Sequence, residues 1–400
     1  MSGAFLMDTY GERELRLVRG AGCRVWDAAG RRYLDALMGI AVCGVGHAHP
    51  AITAVLAAQA GQLVHASNLY RTAPQEALAE KLCAVAGMER AFFGNSGAEA
   101  NEAAIKLSRL YARERGIERP VVLVAEGGFH GRTLAALSAT SSARARAGFA
   151  PLFDGFVRVP FDDLAALERY GDDPAVVAVM LEPVQGEGGI RIPAAGYLRG
   201  VRALCDRCGW LLILDEVQTG NGRTGTHFAQ AGAGVCADIL TTAKGLGNGV
   251  PIGACLARGV AAGLFGPGSH GSTYGGNPLV CAVAGKVFDL IESEGLAARA
   301  AELGEWLRVR LAAELAGCEA VREVRGCGLM LAIEMRRDCG ELVRRAAAAG
   351  LLINVTAGCC VRLLPALNMS AAEAEELVGT LCPVILHWAA DVAENGEGDS

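Results

Sequence analysis

The sequence predicts an α/β protein: a mostly parallel sheet in a large domain with helices on both faces, then a smaller α/β C-terminal domain, with an N-terminal arm before both. Three observations carry this expectation. Val121–Ala125, Val176–Leu181 and residues 210–214 are short, continuous apolar runs separated by helical segments, the pattern of strands buried on both faces. Each run ends in a loop of glycines, carboxylates and amides, and ligands of open α/β sheets bind beyond the carboxyl ends of the strands. Beyond about residue 280 the chain changes to long helices and short hairpin-like strands, and 400 residues exceed what one hydrophobic core usually accommodates.

Taken in order, residues 14–38 alternate polar and apolar around Gly20-Ala21-Gly22 and Ala28-Ala29-Gly30, which reads as short strands and turns of the arm, assigned to residues 1–45 and expected to pack on the small domain. Gly44 to Pro50 breaks the chain before an Ala-rich helix over 51–61, and a second helix follows Pro74, with Leu78 and Leu82 on one face. Phe92-Phe93-Gly94-Asn95-Ser96-Gly97-Ala98-Glu99 joins a strand to a helix running to about Arg115, and Ser96 with Glu99 fits a capping box. The three apolar strands then fill the large domain, assigned to 46–278. The small domain, 279–390, is expected to hold helices over 282–292 and 294–314, two strand-like runs around Gly326-Cys327-Gly328, a helix to Ala349, and strands over 351–356 and 360–365. Residues 391–400 are polar and acidic, and read as a disordered tail.

Composition narrows the function classes. A net charge of −6 without a basic run argues against nucleic acid or an anionic membrane as partner. No run of 18 apolar residues and no basic-then-apolar leader is present, so a cytoplasmic location is expected. Fourteen cysteines in such a chain read as reduced, small hydrophobes. Cys205/Cys208 and Cys359/Cys360 have no second ligand pair at zinc spacing, and no metal site is expected.

One residue stands out by scarcity. Of 37 basic residues only Lys81, Lys106, Lys244 and Lys286 are lysine. The other three lie in helical patterns where a solvated end suffices, whereas Lys244 sits among glycines and small residues in Thr241-Thr-Ala-Lys-Gly-Leu-Gly-Asn-Gly-Val-Pro-Ile-Gly-Ala254. A desolvated lysine can lose its proton and condense with an aldehyde, which arginine cannot do. Gly97 and Ala98, at a helix start, are candidates for holding an anion.

The motifs Asn95-Ser-Gly-Ala-Glu-Ala-Asn101, Phe129-His-Gly-Arg-Thr133, Glu182-Pro-Val-Gln-Gly-Glu187, Leu214-Asp-Glu-Val-Gln-Thr-Gly220, Thr242-Ala-Lys-Gly245 and Gly271-Ser-Thr-Tyr-Gly-Gly-Asn-Pro278 stand in one order along nearly the whole chain. Together they resemble the class III, fold type I aminotransferases, which depend on pyridoxal 5'-phosphate (PLP). Asn221, Asn248 and Ala366 depart from the family's usual residues without removing a chemical role.

The resemblance implies that Lys244 attaches covalently to the PLP aldehyde and then moves the proton between substrate and cofactor. It implies that Asp215 faces the pyridine nitrogen, that Phe129 and Val217 enclose the ring, and that Gln218 reaches its phenolic oxygen. Gly97 and Ala98 would hold the phosphate, joined by Thr273 from the second subunit of a homodimer. Arg132, with Ser272 assisting, would hold the substrate α-carboxylate, and Arg362, masked by Glu187, would receive that of 2-oxoglutarate. N2-acetylornithine is the amine donor the resemblance favours, with ornithine, succinylornithine, succinyldiaminopimelate and 4-aminobutyrate as alternatives. A Rossmann oxidoreductase fits poorly, because Gly20-Ala-Gly22 precedes polar, strand-like sequence. A non-catalytic scaffold of the same fold would be expected to lose Lys244 or Asp215, and both are present.

Overall fold

The computed structural model describes residues 5–10 and 14–396. Its largest sheet has seven strands in the order Arg90–Gly94, Gly253–Ala257, Ile239–Thr242, Leu211–Asp215, Val176–Leu181, Val121–Ala125, Phe156–Val159. The Gly253–Ala257 strand runs antiparallel to both neighbours, and the remaining pairings are parallel. Apolar side chains cover both faces. Val179, Leu181, Leu212 and Leu214 pack in one core, while Val177, Met180, Leu211 and Ile213 pack in another. That two-sided burial is why these strands read as unbroken apolar runs.

A second, antiparallel sheet of four strands follows the order Val321–Cys327, Met330–Met335, Cys360–Leu363, Asn354–Thr356. A third joins Leu17–Ala21, Arg24–Asp27 and Arg32–Asp35 to Leu351–Leu352, so the arm shares a sheet with a C-terminal segment. The helix Ala371–Gly396, not anticipated from the sequence, continues through part of the stretch read as a tail; residues 397–400 lie outside the described residues. It is long and apolar enough by composition to cross a membrane, yet Leu377, Leu381, Ile385 and Trp388 on one side of it are buried in the same core as Leu307, Leu331 and Ile353.

The Gly97–Glu114 helix begins with Ser96 Oγ accepting the Glu99 amide at 3.2 Å. The reciprocal half of the capping box is displaced by one residue: Glu99 Oε2 accepts from the Asn95 amide at 2.6 Å and from Asn95 Nδ2 at 2.8 Å. Further upstream, Met38, Gly39, Ile40 and Ala41 all have positive φ (50°, 65°, 63° and 62°), a left-handed stretch unusual for residues with side chains. Asp35 Oδ1 accepts the amides of Leu37 and Met38 at its start, at 2.9 and 2.8 Å.

Candidate active site

The carboxyl ends of the parallel strands and the start of the Gly97–Glu114 helix enclose a cavity of about 400 Å³. Lys244, Asp215, Gly97, Ala98, Phe129, Val217, Gln218 and Arg132 all line it. Residues from Val42 to Ile252 thus converge on one space.

Asp215 ends its strand at 2% exposure. Its Oδ2 accepts from Asn101 Nδ2 and pairs with His130 Nδ1, both at 2.8 Å, while Oδ1 accepts the Val217 amide at 3.0 Å. Asn101 is oriented in turn by Thr241 Oγ1, which donates to Asn101 Oδ1 at 2.7 Å. Burial by itself would lower the His130 imidazole, but its contact with Asp215 outweighs this and raises it. Three hydrogen bonds thus hold the Asp215 side chain in place. Asn101 and His130 stood in the quoted motifs, and sequence reasoning gave them no role; their separation from Asp215 by 114 and 85 residues hid the contact.

Lys244 follows the Ile239–Thr242 strand in a turn that gives it a φ of 42°. The two asparagines that depart from the family pattern brace this turn. Asn221 Nδ2 donates to Thr242 Oγ1 at 2.9 Å and to the Ala243 carbonyl at 3.2 Å; Asn248 accepts the Val45 amide at 3.0 Å and donates to the Gly46 carbonyl at 3.1 Å. Burial pushes the Lys244 amine below the usual lysine range, with Arg362 adding to the effect and Glu187, Glu182 and Asp215 opposing it.

The opposite wall suits an anion and a flat ring. The first turn of an 18-residue helix directs amides of Gly97 and Ala98 out of the helix end into the cavity wall. Glycine is required at 97, because a Cβ there would lie 2.7 Å from Val217 Cγ1. Phe129 and Val217 both border the space, and Arg132 stands with its guanidinium carbon 5.5 Å from the Phe129 ring centre. Glu182, also overlooked in the sequence, fastens this region: its two oxygens accept the Phe129 amide at 2.9 Å and the Gly186 amide at 3.0 Å. Burial, aided by the Asp215 charge, pushes the Glu182 carboxyl up to about 7.

Glu187 and Arg362 do not line this cavity themselves; Arg362 meets Gln218, which does. Arg362, with no exposed surface, donates from Nη1 to Glu187 Oε1 at 2.6 Å and to Gln218 Oε1 at 3.3 Å, and from Nε to Asn354 Oδ1 at 3.1 Å. Its Nη2 is buried without a partner among the described residues. Burial would raise the Glu187 carboxyl, but the Arg362 charge and hydrogen bond hold it below the usual range.

Ser272 and Thr273 are not brought into this cavity within the single chain. Ser272 borders a neighbouring hollow with Asn68, Gln75 and His270, and reaches the main site only through Asn95 Nδ2 at 3.2 Å. Thr273 is exposed beside it. Among the described residues no cluster of His, Cys, Asp or Glu could hold a metal ion.

The residues present fit PLP. A glycine-bearing helix start would offer amides to a phosphate, two side chains would bound a ring, the fixed Asp215 side chain would face a ring nitrogen, and a lysine with a depressed amine would serve an aldehyde. Comparisons with known proteins agree. The model of the aminotransferase class-III family matches residues 8–385. The acetylornithine aminotransferase of Nitrosomonas europaea is 51% identical, the match covering 96% of this chain and 98% of that protein. That of Methanothermobacter thermautotrophicus is 46% identical, over 95% and 96%. Among solved structures, the ornithine aminotransferase of Toxoplasma gondii superposes with a TM-score of 0.93 at 34% identity, covering 96% of this chain and 93% of that one. A second structure of that enzyme is described as having PLP at partial occupancy in its active site. The N-acetylornithine aminotransferase of Stenotrophomonas maltophilia gives a TM-score of 0.83 at 38% identity, covering 96% and 99%. A family match spanning nearly the whole chain, joined to a cavity that fits the family's cofactor, establishes that this protein belongs to the PLP-dependent class III aminotransferases.

Proposed function

We propose that this cavity transfers the terminal amino group of N2-acetylornithine to 2-oxoglutarate, giving N-acetylglutamate 5-semialdehyde and glutamate, in the cytoplasm. The observation that carries the reading is the 2.6 Å pair between Glu187 and the fully buried Arg362, close enough to Lys244 to bear on its charge. The names of similar proteins, acetylornithine aminotransferases at 46% and 51% identity, support it.

When bound, PLP supplies an aldehyde through which amino groups are exchanged and a ring that accepts electrons released at the substrate carbon. The chain supplies the rest. Burial depresses the Lys244 amine, which favours the unprotonated Nζ needed to take a proton from substrate carbon and return it. Asp215, held by Asn101, His130 and the Val217 amide, offers a fixed acceptor for a proton on the ring nitrogen. Phe129 and Val217 would hold the ring, Gln218 its phenolic oxygen, and Gly97 with Ala98 the phosphate.

Two acids of different shape must use one site. Arg132 binds the α-carboxylate of acetylornithine, whose acetamido group is neutral, while the distal amine reaches Lys244. 2-Oxoglutarate needs a cation beside its reacting carbonyl, and Arg362 is that cation once Glu187 swings away. During the first half-reaction Glu187 neutralises Arg362, so an α-amino donor is not drawn in by its carboxylate. We further propose a homodimer in which Thr273, with Ser272 beside it, completes a site of the second copy. The exposed apolar side chains of Leu69, Tyr70 and Tyr274 flank this loop, and Asn68 Nδ2 donates to the Ser272 and Gly275 carbonyls, both at 3.0 Å, which supports a surface covered by a partner.

The test is a panel of amine donors, with 2-oxoglutarate as acceptor: N2-acetylornithine, ornithine, succinylornithine, succinyldiaminopimelate, 4-aminobutyrate. Acetylornithine is expected to give the highest kcat/KM, and a higher value for any other donor would overturn the assignment.

A further inference from the structure

The four-stranded sheet of the C-terminal segment has one polar face, and its register explains why. Arg325 pairs with Ala332, Ala332 with Arg362 and Arg362 with Asn354; Glu323 pairs with Glu334, Glu334 with Cys360 and Cys360 with Thr356. Side chains alternate along a strand and directly paired residues share a face. Arg325, Glu334, Arg362, Asn354 and Thr356 therefore project to the same side, while Ile333, Val361 and Leu363 project into the core on the other.

The polar face holds the backbone of the loop that carries Glu187. Arg325, 9% exposed, donates from Nη2 to the Gly189 carbonyl at 2.6 Å and from Nε to the Ile190 carbonyl at 2.8 Å. Its Nη1 is held by Glu334 and, at 2.8 Å, by Glu323. From the next strands Thr356 Oγ1 donates to the Glu187 carbonyl at 2.6 Å. The loop needs such restraint. Ile190 is β-branched and has a φ of 52°, and Gly189 beside it has a φ of 100°. A side chain at 189 would also place its Cβ 2.9 Å from Cys360 Sγ. Conformations of this kind persist when the surroundings over-determine them. At its base the loop is fixed from the other side, by Gln185 Nε2 on the Glu126 carbonyl at 2.7 Å and by the Gly186 amide on Glu182.

We propose that Arg325 is a positioning residue for donor selection: together with Thr356 it fixes the backbone from Glu187 to Ile190, so that only the Glu187 side chain moves and its carboxylate returns to Arg362 in each cycle. The inference rests on the gating role proposed for Glu187. Arg325 does not line the cofactor cavity, so its loss acts on selection and leaves the Lys244 chemistry in place. With the anchor weakened, Glu187 covers Arg362 less of the time, and α-amino donors gain access.

Single-turnover rates of the holoenzyme with acetylornithine and with glutamate test this in wild type, Arg325→Lys, Thr356→Val and Glu187→Ala. Lysine keeps a charge beside Glu334 but cannot span both carbonyls, and valine is nearly isosteric with threonine, so at least one variant is expected to fold. Arg325→Lys and Thr356→Val are each expected to raise the glutamate-to-acetylornithine rate ratio several-fold to about tenfold, the effect of losing a hydrogen bond to a charged or buried group. Glu187→Ala is expected to raise it further, with the absorbance of bound cofactor unaltered in the two anchor variants. A raised ratio in Glu187→Ala with a wild-type ratio in both anchor variants overturns the positioning role while the gate stands. A wild-type ratio in Glu187→Ala removes the gate, and the role of Arg325 with it.

Discussion

Two histidines hydrogen-bond an aspartate at 2.8 Å, His130 to Asp215 and His47 to Asp35, with different consequences. The first steadies a carboxylate in the cavity. The second braces Asp35, whose other oxygen starts the left-handed stretch that leads to Val42 in the cavity wall. The Asp35 hydrogen bond, helped by Cys43, raises the His47 imidazole from 6.5 to about 9. Because the folded value exceeds the unfolded one, the stability this pair provides is complete below pH 6.5 and is lost as pH rises through about 9. The unfolding temperature should therefore fall more steeply between those pH values in wild type than in His47→Gln; parallel curves would reject a structural role for the charge. Lys244 was legible from its scarcity, since an amine among arginines calls for amine chemistry. The supports of Asp215 were not, because a single sequence carries no sign that Asn101 and His130 meet the same oxygen.

At the scale of elements, legibility followed burial. Val121–Ala125 and Val176–Leu181 could be read because a strand covered on both faces has little freedom in composition. The Gly253–Ala257 strand could not: GACLA is short, and its antiparallel direction depends on neighbours distant in the chain. The left-handed stretch at Met38 contradicts local preference, so no propensity predicts it. The start of the Gly97–Glu114 helix was visible through its cap, and its role can be tested. Gly97→Ala puts a good helix former at the first position but adds a Cβ 2.7 Å from Val217 Cγ1. The variant should retain its helical circular dichroism and bind PLP at least about tenfold more weakly, a change of ~1.4 kcal/mol. Unchanged cofactor affinity would exclude close approach at this helix end.

For the whole molecule, the question is whether one chain makes a complete site. Thr273 lies outside the cavity of its own chain, on an apolar surface, whereas Lys244 lies inside. Mixing inactive Lys244→Ala with inactive Thr273→Ala subunits should restore up to about a quarter of wild-type activity, because half the molecules are hybrids and each hybrid has one intact site of two. No recovery in confirmed hybrids would confine Thr273 to its own chain.

The pairing of Glu187 with Arg362 across 175 residues also bears on redesign. An engineer wishing to move this donor preference onto a related scaffold could not transplant the two charges alone. The glutamate is carried by a loop in an unfavourable conformation that Arg325 and Thr356 hold by its backbone, and the arginine by a strand of another sheet, where it donates to Asn354. If Glu187 gates Arg362 as proposed, selectivity is a property of registration between two sheets, and the transferable unit is the loop together with the polar face beneath it.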